Sequence, residues 1–110
     1  MSNKFKFLCF SVLTFMTTYS FAGGQTSWGK VTETYVNGGW TMVRVESITE
    51  NPDECEATYY YALNPSQDNY AVLHSALFAA HMAGKLIKFY VNQCGGQSGK
   101  YPQIISVFVR

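Results

Sequence analysis

Charge is what this sequence has least of. Only 14% of its 110 residues are Asp, Glu, Lys or Arg, and the formal net charge is +1. No basic stripe is present to neutralise phosphates, which argues against a nucleic-acid partner. Histidine is equally sparse. His74 and His81 are seven residues apart, two helical turns or about 10 Å. Metal-ligand pairs on helices sit three or four apart, so these two do not form one metal site and read as interface residues. Catalytic motifs are lacking too. No serine lies in a nucleophile elbow. The glycine-rich stretch Gly95-Gly96-Gln97-Ser98-Gly99 lacks the Lys and the following helix of a phosphate loop. Glu54 and Glu56 read as an exposed edge, because a glycosidase needs carboxyls flanking a bond at defined separation. Nothing in the sequence supports an enzyme or asks for a cofactor.

Long apolar runs are absent beyond the first residues. Lys4 and Lys6 precede an apolar stretch from Phe7 to Met16, and Ser20-Phe21-Ala22 puts small residues where a signal peptidase reads. This is a secretory pattern, too short for a membrane span; an uncleaved N-terminal anchor is the rival. Cys9 lies inside the apolar run with no small residues just before it, unlike a lipoprotein cysteine. The expected organisation is a signal peptide over 1–22 and one domain over 23–110, in an exported protein of the periplasm or the medium. That domain carries six basic and seven acidic residues, a net of −1, with the acidic ones concentrated from Glu46 to Glu56.

Only Cys55 and Cys94 remain after such cleavage. Two cysteines in a small exported domain most simply pair with each other, and closing so long a loop contributes about 3–4 kcal/mol in the chain-entropy model. A two-cysteine metal site is the rival, with no further Cys or His at ligand spacing beside either one.

What is abundant is β-forming and aromatic sequence. Trp28 to Val36 reads as a strand. Asn37-Gly38-Gly39 is a turn, since Gly accepts positive φ. Trp40 to Val45 alternates, with Trp40, Met42 and Arg44 on one face and Thr41, Val43 and Val45 on the other. Cys55 to Leu63 reads as a third strand. Ser66 and Asp68 are candidate helix caps, followed by a helix from Tyr70 to Ala83 that stops at Gly84. Strands over Lys85 to Val91 and Ile104 to Val109 complete a β-β-β-α-β-β order. This is the layout of the OB-fold, a five-stranded Greek-key barrel; an open α+β sheet is the alternative.

The helix has no Asp, Glu, Lys or Arg on any face. Leu73, Ala76, Leu77 and Ala80 form the face turned to the core. Ala71, Val72, Ser75, Phe78, Ala79 and Met82 lie opposite. A helix apolar all round is usually covered all round, so a homo-oligomer is expected through Ala71, Ser75, Phe78 and Met82, with long loops as the other possible cover. If the interior takes Val43, Val45, Ile87, Phe89, Val91, Ile105, Val107 and Val109, then Trp40, Tyr90 and Phe108 point outward. Trp40, Arg44, Thr58, Tyr60 and Tyr90 are the candidate ligand-binding residues, able to stack on sugar rings or a protein partner. Subunit packing uses the same residue types.

The stretch from Tyr61 to Val109 resembles the OB-fold B subunits of pentameric AB toxins of the subtilase-cytotoxin and typhoid-toxin kind. The shared features are a strand, the Pro65-Ser66 turn, a helix with Leu73, Leu77 and Ala80, then Gly84, the apolar strand Lys85 to Val91, and Tyr101-Pro102 before the last strand. The chain is also similar to small exported bacterial proteins with Asn51-Pro52 before Cys55, Gly84-Lys85, and Cys94 before Tyr101-Pro102. The first resemblance implies a homo-oligomeric ring, a pentamer in that family, with helices lining its centre, glycan binding on the barrel and a catalytic toxin subunit as partner. It departs in disulfide position, and no sugar-contacting residue aligns onto Gly23 to Thr34, so no glycan site is carried over. The other functional expectation is an envelope module that binds a protein, such as an inhibitor or assembly factor.

Overall fold

The computed structural model describes residues 23–110; segment 1–22, where a signal peptide is expected and which contains Cys9, lies outside them. Six strands and one helix follow in order: β1 (Gly24–Gln25), β2 (Gly29–Asn37), β3 (Trp40–Val45), β4 (Tyr61–Leu63), α1 (Tyr70–Ala83), β5 (Leu86–Gly95) and β6 (Tyr101–Val109). The strands lie in one sheet in the order β1-β5-β2-β3-β4-β6, and a further β5–β6 pairing closes β2, β3, β4, β6 and β5 into a ring. The chain is thus mostly β with one helix, and it has one more strand than the sequence suggests. The addition is β1, two residues paired with Val91 and Tyr90 of β5.

The β2–β3 hairpin forms where expected. Asn37 faces Trp40, and the two residues between them, Gly38 and Gly39, have φ of 58° and 84°. Two positive φ values make the turn whose twist matches the strands. Lower in the hairpin, Val31 faces Val45 but Glu33 faces Arg44, so Thr32 is an extra residue and β2 bulges there.

The third strand is much shorter than Cys55 to Leu63, and the reason is local. Asn51 donates its side-chain amide to the Cys55 carbonyl at 2.7 Å and accepts the Cys55 N–H at 2.8 Å. A side chain that takes both backbone groups of a residue leaves none for a ladder. Cys55 is also tied to Cys94, 39 residues on, by a disulfide. The chain joins the sheet only at Tyr61.

The last two strands are longer than expected, and their register explains a misassigned face. Tyr90 faces Ser106 while Val91 faces Ile104, so Ile105 is the extra residue. Ile104 therefore fills the core and Ile105 does not. The phase expected for this strand is right only beyond the bulge, where Val107 packs on the core; Val109, at the strand end, is exposed. A second shift between Val91 and Cys94 places an extra residue on β5, where Gln93 has φ 65°.

The helix spans the expected residues. Neither Ser66 nor Asp68 caps it. The cap position is Asn69, with no side-chain cap bond. At the other end Gly84 is left-handed, its N–H bonds to His81 O, and the Lys85 N–H bonds to Ala80 O. Those are the two bonds of a Schellman stop. Leu73, Leu77 and Ala80 are buried as expected, whereas Ala76 is only partly so. They join Val43, Tyr61, Leu63, Ile87, Phe89, Val91 and Ile104 in one core.

Candidate binding surface

The outward face of β3 is built on small residues. A Cβ on Gly95 would come 2.9 Å from Trp40 Cζ3 and 2.7 Å from Gln103 Oε1. One on Gly96 would meet Tyr101 Cδ2 at 3.1 Å and Met42 Cε at 3.4 Å, with Ala62 beyond. Glycine at both positions lets Trp40 and Tyr101 lie down on the sheet. Gly38 is close enough to the Gln97 side chain that a Cβ there would overlap it. The β2–β3 turn and the β5–β6 loop therefore touch at one edge of this face.

Four tyrosines continue the surface. Tyr60 meets Tyr35, Tyr59 and Tyr101 edge to face, at centroid distances of 5.2, 5.7 and 5.8 Å, and Tyr59 meets Tyr101 at 5.4 Å. Such edge-to-face pairs contribute about 0.5–1.5 kcal/mol each beyond their buried area. The Arg44 guanidinium carbon lies 4.8 Å from the Tyr60 centroid. Its Nε donates to the Tyr59 carbonyl at 3.4 Å and sits 3.9 Å from a Glu33 oxygen. Tyr60 in turn donates its hydroxyl to Glu33 at 3.0 Å. Beside Arg44 opens a cleft of about 400 Å³, lined by Thr32, Glu46, Ile48, Thr49, Thr58 and Tyr59 among others. The β2 bulge sets Thr32 at its wall, with the Thr32 hydroxyl on the Arg44 carbonyl.

The phenols of Tyr60, Tyr61 and Tyr101 are shifted upward. A hydrogen bond with Tyr59, then burial, pushes Tyr101 up to about 12. Burial and the Glu33 carboxylate raise Tyr60, with Arg44 opposing. Inside the core, burial and then the Glu50 charge raise Tyr61, whose hydroxyl donates to the Glu50 carbonyl at 2.7 Å. For Glu50 itself, burial works upward, but hydrogen bonds from Ser27 and the Thr49 backbone prevail and leave its carboxyl below the usual value.

Arg44 and Tyr60 are in contact, and Thr58 shares the cleft with Arg44. Trp40 lies on the same face of β3, four pairs along from Arg44. Tyr90 does not join them. It belongs to β5, beside Gln25 and Ser106, with its hydroxyl against Gly23. Sequence reasoning passed over Tyr35, Glu33 and Tyr101. The hairpin register puts Tyr35 opposite Met42 and Glu33 opposite Arg44, both above the Thr32 bulge, so counting back from the Gly38-Gly39 turn finds them. A second aromatic cluster was also passed over. Trp28 has the Arg110 guanidinium at 4.3 Å and the Lys88 ammonium at 5.3 Å from its ring centre.

On the helix, Ala71, Val72, Ser75, Ala79 and Met82 are exposed, Met82 at 86%. Phe78 is half-buried against His74 at 4.4 Å. Both histidines bond within the chain, His74 to Thr41 at 2.7 Å and His81 to Thr34 at 2.8 Å. Among the described residues no three His, Cys, Asp or Glu side chains gather as a metal site, and no helix is long and apolar enough to cross a membrane. No protein-family model matches the sequence, and a search of curated proteins finds no relative.

Proposed function

We propose that this is an exported, non-enzymatic binding subunit of OB-fold type that self-associates and recognises a glycan on the outward face of β3. The observation that carries this is the platform of Trp40, Tyr59, Tyr60 and Tyr101 beside the Arg44 cleft. Sugars bind where apolar ring faces lie next to a few fixed donors and acceptors. Here Arg44, the protonated phenols and the threonine hydroxyls supply the donors, and Glu33 accepts.

Strand order supports the fold reading. Taking β2 to β6 as five strands, the ring order first-second-third-fifth-fourth, with a helix between third and fourth, fits an OB-fold. In that fold, ligands engage the second and third strands and the loops joining first to second and fourth to fifth. Those loops are the two that touch through Gly38 and Gln97. The uncharged, exposed helix face supports self-association. A ring with a catalytic toxin subunit is the fullest form of this reading.

A glycan array probed with the mature protein tests it. Binding that Arg44→Ala and Tyr60→Ala each reduce at least tenfold is the expected result. An array that stays silent, while an envelope protein is captured through the same face, favours the protein-binding alternative; aromatic and Arg anchors serve such interfaces equally well.

A further inference from the structure

Gly23 is held in an unusual setting. Its φ is 65°, and a Cβ there would come 2.6 Å from Tyr90 Oη and 2.8 Å from the Val91 carbonyl oxygen. Its nitrogen donates to Asp53 Oδ1 at 3.3 Å. The other oxygen of that carboxylate accepts the Gln93 N–H at 2.6 Å. Gln93 precedes Cys94, and Asp53 precedes Cys55 by two residues, so one carboxylate joins the start of β1 to both sides of the disulfide. As an amide, Gly23 brings a neutral donor to a charged acceptor.

We propose that cleavage between Ala22 and Gly23 completes this contact by making the Gly23 nitrogen an ammonium paired with Asp53. A signal peptidase hydrolyses the bond with water. Ala22 leaves as a carboxylate, and the Gly23 amine takes up a proton at neutral pH, because α-amino groups titrate near ~7.7–8.0. The bond to Asp53 then becomes charge-assisted at both ends rather than at the acceptor alone. Tyr90 and the Val91 carbonyl are the other polar groups against this glycine, and Pro52 packs beside Gly24. Removal of the leader thus fastens β1, the shortest and outermost strand of the sheet, to the cystine-linked loop. Glycine fits at position 23 because the close approach of β5 leaves no room for a side chain.

The inference rests on the export reading, and one experiment separates the two. The full precursor is produced in a cell that can export it, and the terminus of the recovered protein is read by mass spectrometry. Its terminal amine is then transaminated to a carbonyl, which removes that charge and spares the lysines. Melting temperatures are compared with and without Asp53→Asn. The expected product starts at Gly23. Transamination should lower its Tm by about 4–8 °C, and Asp53→Asn should lower the Tm of the untreated protein far more than that of the transaminated one. Independent, additive losses overturn the ion pair and leave export intact, as does a processed chain starting elsewhere. Recovery of a folded chain still carrying Met1 overturns both.

Discussion

The buried hydroxyl of Thr41 lies 2.7 Å from His74 Nδ1. The same oxygen is 2.8 Å from the Tyr70 hydroxyl, so one β3 side chain fastens two successive turns of the helix. A threonine has one proton to give. If it goes to His74, Tyr70 donates to Thr41 and the histidine carries its own proton on Nε2. Thr41→Val keeps the shape and strips out both bonds. It should cost about 1–3 kcal/mol, read as a lower urea midpoint with an unchanged slope.

Arg44 has two roles that one substitution separates. It lines the cleft, and its charge pulls the Tyr60 phenol down against burial and Glu33. Arg44→Ala should weaken ligand binding by tenfold or more. It should also make Tyr60 still harder to ionise, seen as a later step in the alkaline absorbance titration. An unshifted titration would show that the guanidinium is not over the ring in solution.

The helix face makes a prediction about mass. Met82 is almost fully exposed and lies outside the core. Met82→Glu should therefore leave the stability of the isolated protomer within about 0.5 kcal/mol of its starting value. It should reduce the light-scattering mass to that of one subunit. A wild-type protein that already elutes as a monomer would remove self-association from the proposed function.

Stability should fall in alkali for a reason visible in the core. Tyr61 and Tyr101 are held above the ordinary tyrosine value of 10.0. Below about pH 10 the phenols are protonated both folded and unfolded, and their contribution is fully present. As pH rises from about 10 toward the folded values, the unfolded chain gives up protons that the native one keeps, so stability declines. Urea midpoints measured from pH 8 to 12 should bend downward near 10. Tyr61→Phe should flatten that bend while lowering the midpoint at neutral pH.

Much of this architecture is legible in the sequence because alternation and turn chemistry are local. Asn37-Gly38-Gly39 announces the hairpin, Gly84 the helix stop, and Cys55 and Cys94 each other. What escaped lies where one residue changes the count. Thr32, Gln93 and Ile105 each shift a register, and no composition rule marks them. The loss of strand from Cys55 to Tyr60 turns on the geometry of the Asn51 side chain, which the sequence does not display. The site was half legible: Trp40, Arg44 and the Tyr35 position follow from the hairpin count, whereas the meeting of Tyr35 with Tyr59, Tyr60 and Tyr101 comes only once the ring has closed.

That ring has a seam. Between β4 and β6 a single parallel pair, Ala62 with Gln103, completes the circuit, whereas Tyr61, Leu63 and Ile104 behind it are fully buried. The closure is thus held by side chains far more than by ladder bonds. Segments distant along the chain meet late in folding, after local hairpins have formed. Cys94 precedes β6, so oxidation can tether the β4 side before its last neighbour arrives. The seam is then the natural place for the folded molecule to breathe. Its amides should exchange with solvent earlier than those of β5, while the cystine keeps each opening brief and returns the strands to the same register.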